Sequence, residues 1–268
     1  METEKVTFSE EKTLLDALYA KALDSQAAEP ILGDAYAAEV VAKIDYDFGK
    51  IKVTPRNAGI VAIRARQFDA WVREFLAGHP NATVLHLGCG LDSRVNRIDP
   101  PTTVRWYDVD YPDVIEKRKH VCRPHPAASL IGTSVTELEW LESVPVEGPV
   151  LVIGEGLFMY LPEEDGKRLL RRLTERFPSG EMLFDMFSRS WLRLENHNPL
   201  IKAEGGVHWG IDDPGELERD LPLRCETVVS ASVLPGVDRL RRPWGTVFRL
   251  IAAVPPLKRG FRLLRYRW

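Results

Sequence analysis

Cysteine is scarce in this chain. There are three in 268 residues, at Cys89, Cys122 and Cys225, with no Cys-x-x-Cys pair. That excludes a disulfide-stapled scaffold and suits a reducing compartment. Long apolar runs are missing as well. No uninterrupted stretch approaches the ~20 residues a membrane span needs, and Met1-Glu2-Thr3-Glu4-Lys5 is polar, without an apolar signal core. Charge of one sign is not in excess: 36 Lys and Arg face 39 Asp and Glu, leaving a net charge of -3. This gives no overall case for nucleic acid or an anionic membrane as partner. Internal repeats and low-complexity linkers are absent too. What remains is a globular composition, 44% hydrophobic and 28% charged, expected to form a single cytoplasmic domain.

Acidic residues are missing from one stretch. From Arg239 to Trp268 there are nine Arg or Lys and no Asp or Glu. Such a stretch could face an acidic partner or an anionic substrate. The alternation of Phe248, Leu250, Phe261, Leu263 and Tyr266 favours final strands whose outward side chains are basic.

The chemistry is concentrated in residues 83–112. A short apolar run (Val84, Leu85, Leu87) leads into Gly88-Cys89-Gly90, and a second run ends at Asp108 and Asp110. An acid about twenty residues after a glycine turn is the spacing of a nucleotide-type ligand held between two parallel strand ends, where a carboxylate accepts from ribose hydroxyls. Spacing alone accepts Asp108 or Asp110. A pyrophosphate loop needs a third glycine three residues after Gly90, where Ser93 stands, and no Gly-Lys-Ser/Thr occurs. A ribose-bearing cofactor without phosphate, S-adenosylmethionine, fits better than a dinucleotide or nucleoside triphosphate.

Periodicity predicts helices over 11–27 (Ser9 as cap), 34–43, 58–77, 91–97, 112–121 and from 161 to 177. It predicts strands over 83–87, 103–107, 128–132, 149–154, 181–187, 226–234, 245–253 and 260–267. Residues 188–222, with Asn196-His197-Asn198-Pro199, resist assignment. Strands alternating with helices imply an α/β fold with a parallel sheet covered on both faces. We expect one domain organised as an N-terminal helical cap (1–80), a cofactor-binding core (81–187), a lid and substrate region (188–225) and C-terminal strands (226–268).

Five separated motifs resemble the leucine carboxyl methyltransferase superfamily, in its bacterial polyketide O-methyltransferase branch. They are Arg64-x-Arg66-x-x-Asp69, the run from Val84 to Arg94, Asp108-Val109-Asp110-Tyr111-Pro112, the run from Glu155 to Leu161, and the run from Trp209 to Leu217. The resemblance implies a class I S-adenosylmethionine-dependent methyltransferase fold, a Rossmann-like, seven-stranded, mostly parallel sheet with a lid. It implies that Arg64 grips the methionine carboxylate, with Lys21 a further basic position nearby. Gly88 turns the chain under the cofactor, flanked by Cys89 and Gly90. Asp110 binds ribose, and Glu155 sits beside the cofactor's amino-acid end. Where eukaryotic members carry Asp-Leu after the third strand, this chain has Ser134-Val135. An adenine contact through the Ser134 hydroxyl or the Val135 backbone is therefore expected.

The residues support part of this directly. A guanidinium matches a carboxylate with two parallel hydrogen bonds. Glu155 ends an apolar strand, and a carboxylate there is costly unless paired or ligand-facing. Cys89, without a base placed beside it, is not expected to be a nucleophile. His120, Cys122 and His125 match no standard zinc spacing, and no metal is expected. Tyr160, Arg189, Trp191, His197, His208 and Trp209 are the candidate acceptor-binding residues. The expected reaction transfers a methyl group to an oxygen of a small natural product, preferably a carboxylate, giving S-adenosylhomocysteine. A carboxylic acid of pKa near 4 needs no base, whereas a phenol near 10 would want one, with His197, His208 or Tyr160 as candidates. A modified-peptide carboxylate stays open, as does, less favoured, a binding module without chemistry.

Overall fold

The structure is a computed structural model and describes residues 6–7, 12–197 and 205–268. Ser9, Asn198 and Pro199 lie outside the described residues. Three helices come first: α1 (Lys12–Ser25), α2 (Ala35–Ala42) and α3 (Ala58–Gly78). Asp34 caps α2 by accepting from the Ala37 amide at 3.1 Å. Val6–Thr7 pairs in parallel with Ile44–Asp45 beside them.

Strands and helices then alternate: β1 (Thr83–Leu87), α4 (Arg94–Ile98), β2 (Arg105–Asp110), α5 (Pro112–Val121), β3 (Ala128–Gly132), β4 (Val150–Gly154), α6 (Glu163–Arg176) and β5 (Gly180–Phe187). After α7 (Arg189–Glu195) and α8 (Gly215–Asp220) come β6 (Arg224–Ser230), α9 (Trp244–Ala253), α10 (Pro255–Lys258) and β7 (Phe261–Arg267). The seven strands form one sheet in the order β3-β2-β1-β4-β5-β7-β6. The first five are parallel, and β7 runs antiparallel to both neighbours.

Strands β1 and β4 are buried along their whole length, as expected of central parallel strands covered on both faces. One core layer packs β1, β4 and β5 against α6, with Phe158, Phe184 and Tyr266 at its centre. The other packs the opposite face against α3 through Phe68, Val72 and Phe75. Helices α1 and α2 close a smaller cluster around Leu15, Leu18 and Val40. Strand order reverses between β1 and β4, so a crevice opens at their C-terminal ends.

The strand expected over 245–253 is helix α9. In a strand Phe248 and Leu250 would share a face; here Phe248 is 9% exposed and Leu250 65% exposed. Val247, Phe248 and Ile251 instead share the inner face at helical spacing. A period of two and a period of 3.6 both fit such a short apolar run, and packing decided between them.

Phe184 is fully buried, stacked on Tyr266 (centroids 5.4 Å apart, planes at 3°) and tilted against Phe158 at 4.9 Å. Phe184→Ala is expected to cost about 3–5 kcal/mol through the cavity it leaves. Urea unfolding should show a lower midpoint with an unchanged slope. An unchanged midpoint would mean this layer is not the packed core described.

Candidate functional site

The crevice is a cleft of about 790 Å³. Its floor is the turn after β1. Gly88 and Gly90 there have φ of +60° and +50°. That left-handed region favours glycine, and a Cβ on Gly90 would lie 2.6 Å from the Leu14 side chain. Cys89 between them is buried, and burial pushes its thiol well above the ordinary value although Arg118 opposes the shift.

The two candidate ribose acids are separated by what they touch. Asp108 is buried and bonded to Arg118 Nη2 at 2.7 Å, Trp106 Nε1 at 2.9 Å and His86 Nδ1 at 2.9 Å. Burial works to raise its pKa, but Arg118 and the His86 hydrogen bond hold it at about 2. Asp110 faces the cleft. It accepts the Gly90 amide at 2.7 Å and the Tyr111 amide at 2.8 Å. Burial raises its pKa against those two bonds, and no side-chain cation bonds it among the described residues. Asp110 is thus the acid left for a ligand, and Asp108 is structural.

At the other end of the cleft lies a network of four cations, Lys21, Arg64, Arg94 and Arg97, and five carboxylates, Asp34, Asp69, Asp92, Glu155 and Asp185. Arg64 donates to Glu155 at 2.8 Å and to Asp185 at 3.0 Å. Arg94, fully buried, donates to Asp69 at 2.8 Å and also to Glu155, and it reaches Asp92 at 3.3 Å. Its Nη1 lies 3.3 Å from His86 Nε2. A guanidinium only donates, so Nε2 accepts and the His86 proton sits on Nδ1, facing Asp108. Lys21 reaches Asp92 at 3.0 Å.

Burial works to raise the Glu155 carboxyl, but Arg64 and Arg94 outweigh it and hold it at about 2. Asp92 is held well below the ordinary range by Arg94, Arg97 and Lys21, also against burial. Asp185 goes the other way: burial raises it despite Arg64. Of this network Lys21, Arg64, Asp92 and Glu155 line the cleft, so both signs of charge face a ligand at this end.

The remaining lining is aromatic and apolar: Tyr160, Phe187, Trp191, Trp244, Phe248 and Phe261, with the hydroxyls of Ser230 and Ser232 among them. Helix α9 adds Val247 and Ile251 to Trp244 and Phe248, and α10 adds Leu257. The segment over 188–225, expected to supply the lid, contributes Trp191 and Glu195 among the described residues.

Of the candidates from sequence, the structure brings Arg64, Gly88, Cys89, Gly90, Asp110, Glu155, Tyr160, Trp191 and Lys21 to one cleft. The others do not line it. Ser134 bonds the Thr136 hydroxyl at 2.8 Å, and Val135 is buried in the core with its carbonyl toward Trp140. Arg189 is clamped by Glu216 at 2.9 and 2.5 Å. His197 is exposed after α7, its Nδ1 at 2.7 Å from the Arg193 carbonyl. Residues 207–209 run extended, tied to the Met159 carbonyl by the His208 and Trp209 amides. Side chains alternate there, so Val207 and Trp209 enter the core and His208 points to solvent. Trp209 is seated against Gly166 and edge-on to Phe158. Asp92, Arg94 and Asp185 were not singled out from sequence. Asp185 carries the signal that marked Glu155, a carboxylate inside an apolar strand.

The comparisons with known proteins agree with this geometry. Residues 6–174 match the family model described as leucine carboxyl methyltransferase. The chain is 43% identical, over 95% of both chains, to the tetracenomycin polyketide synthesis O-methyltransferase TcmP of Streptomyces glaucescens. It is 36% identical, over 81% of both, to the S-adenosyl-L-methionine-dependent methyltransferase dpfgK of Gibberella zeae. Among solved structures, one ascribed to a methyltransferase from Thermobifida fusca aligns with a TM-score of 0.57 at 16% identity, covering 92% of this chain and 93% of that one. The fold likeness is therefore independent of close sequence similarity.

The acid network makes two expectations concrete. Arg94→Met strands Asp69 and Glu155 without a shared counter-ion and should cost about 3–5 kcal/mol at neutral pH, read by denaturant unfolding. A loss below 1 kcal/mol would show that the network does not depend on Arg94. For pH, the carboxylates held low (Glu155 and Asp108, each about 2) give stability that is full above their ordinary values near 4. It is lost as pH falls through about 2, because the unfolded chain takes up protons first. Unfolding free energy should hold to about pH 5 and fall steeply below 4; a profile flat to pH 2 would contradict the assignment.

Proposed function

The chain belongs to the leucine carboxyl methyltransferase family and is an S-adenosylmethionine-dependent O-methyltransferase; from that premise we propose that it methylates a carboxylate of a small aromatic natural product. The observation that supports this most is the joining, in one 790 Å³ cleft, of a polar, acid-rich end and an aromatic end. The residues fit the cofactor at the polar end. Asp110 has carboxylate capacity directed into the cleft beside the glycine turn, which suits ribose hydroxyls. Arg64 and Lys21 provide cations for the methionine carboxylate, and Glu155 provides an acceptor for the ammonium. When bound, the cofactor supplies an electrophilic methyl group on a sulfonium.

The chain's own residues then have to place an oxygen in line and keep water out. Trp191, Phe187, Phe261, Trp244 and Phe248 form apolar walls suited to a flat ring system, and α9 and α10 serve as the lid. Alignment of this kind is worth roughly 7–11 kcal/mol of barrier. Tyr160, Ser230 and Ser232 offer neutral hydroxyls for orienting the acceptor. A carboxylate acceptor arrives ionised and needs no proton removed. Of the three base candidates only Tyr160 lines the cleft; His197 and His208 are exposed outside it, which favours a carboxylate over a phenol that would want a histidine base. The relative from Streptomyces glaucescens carries a polyketide in its name, and an aromatic polyketide acid is the acceptor class we infer. The compartment is the cytoplasm, where the free thiols of Cys89, Cys122 and Cys225 stay reduced.

Incubation with methyl-labelled cofactor and a panel of polycyclic aromatic acids, followed by mass spectrometry, tests the acceptor. We expect label that alkali releases, as from an ester; alkali-stable label on a ring oxygen would overturn the carboxylate reading. Asp110→Ala should weaken S-adenosylhomocysteine binding by about 1–3 kcal/mol, the worth of a lost hydrogen bond to a charged group, with the fold intact. Unchanged affinity in calorimetry would remove Asp110 from the site.

A further inference from the structure

We propose that a second groove, which shares no lining residue with the cleft, binds an oxyanion of the phosphate or diphosphate class. The groove encloses about 690 Å³. Four guanidiniums line it: Arg66 and Arg73 from α3, Arg97 from α4, and Arg239 from the turn that follows Gly236. Arg66 and Arg73 stand seven residues apart, on one helix face. Like charges converge at a cost unless an anion stands among them.

The carboxylates present do not supply that anion. Asp69 lines the groove, but its Oδ1 accepts from Arg94 Nε and Arg97 Nη2, and its Oδ2 from Arg97 Nε. Asp99 also lines it and is bonded to His125 Nε2 at 3.1 Å. Arg97 is itself shared among Asp34, Asp69 and Asp92. The other three arginines pair with no carboxylate among the described residues. Arg73 donates to the Arg97 carbonyl at 3.1 Å, and Arg239 donates to the carbonyls of Glu29 and Pro30 at 3.1 and 2.9 Å. Arg66 makes no hydrogen bond or ion pair among the described residues, and its Nη1 lies over Gly236, 3.6 Å from where a Cβ would be.

A second observation points independently to a ligand. Asn96 is only 7% exposed, lines this groove, and its amide has no hydrogen-bond partner among the described residues. The amide is open to the groove, and its NH2 can donate to an oxyanion held there. Guanidinium forks approaching from three elements suit a tetrahedral oxyanion with several acceptor oxygens better than a single planar carboxylate.

The test is calorimetric titration of inorganic pyrophosphate into the full chain at fixed ionic strength. Saturable one-to-one binding is expected, at least tenfold tighter than that of malonate. Arg66→Gln with Arg73→Gln should weaken it at least tenfold while leaving S-adenosylhomocysteine affinity within twofold, which also reports that the fold is intact. Asn96→Asp, which sets a carboxylate in the groove, should weaken it at least as much and guards against misfolding of the double variant. Unsaturable heats, equal affinity for malonate, or a double variant that binds pyrophosphate like the parent would each overturn the proposal.

Discussion

The structure turns on Arg94. It is wholly buried and answers three carboxylates from three places: Asp69 on α3, Asp92 in the glycine turn and Glu155 at the end of β4. A guanidinium keeps its charge in any protein environment and presents five donors in a fixed plane, so one side chain can tie a helix, a turn and a strand end together. Without it, three buried acids would lose the cation they share, leaving Asp69 to Arg97, Asp92 to Lys21 and Arg97, and Glu155 to Arg64. The same pairing sets Glu155 and Asp92 ionised and fixed, and that stiffens the wall where the cofactor's amino-acid end is proposed to lie.

This arrangement divides the work of the cleft. One end presents paired charges of both signs, Lys21 and Arg64 with Asp92 and Glu155. The other end is apolar and supplies shape. Strand β7, inserted between β5 and β6, makes the division possible: the chain between β6 and β7 is long enough to form α9 and α10, and these close the aromatic end. The basic stretch noted in the sequence falls mostly in these elements and in β7. Arg262 donates to the carbonyls of Ile211 and Asp212, and Arg265 pairs with Glu181 and Glu74, so part of it is structural.

Much of the fold was legible because central parallel strands leave an unmistakable mark. Residues 150–154 are a continuous apolar run between Pro149 and Glu155, and Val84, Leu85 and Leu87 lead into the Gly88 turn; burial on both faces explains them. Residues 245–253 carried no such mark. Their apolar positions satisfy two periods at once, and the helix won because Phe248 has a core to enter while Leu250 has none. The site divided in the same way. Glu155 was visible since a carboxylate ending an apolar strand demands a partner. The choice between Asp108 and Asp110 was open to the resemblance but not to spacing, because physically it depends on Arg118, His86 and Trp106 reaching one acid and not the other. The acceptor candidates fared worst. Trp209 and His208 sit in an extended segment whose alternation sends one to the core and one to water, and nothing in their residue types reveals which face is which.

The most direct measurement is a crystal structure with S-adenosylhomocysteine bound. The ribose hydroxyls should lie within hydrogen-bond distance of the Asp110 carboxylate, and the homocysteine end should lie among Arg64, Lys21 and Glu155, with the sulfur facing Tyr160 and Trp191. A molecule bound with its ribose on another acid, or lodged away from the turn at Gly88–Gly90, would contradict the central claim.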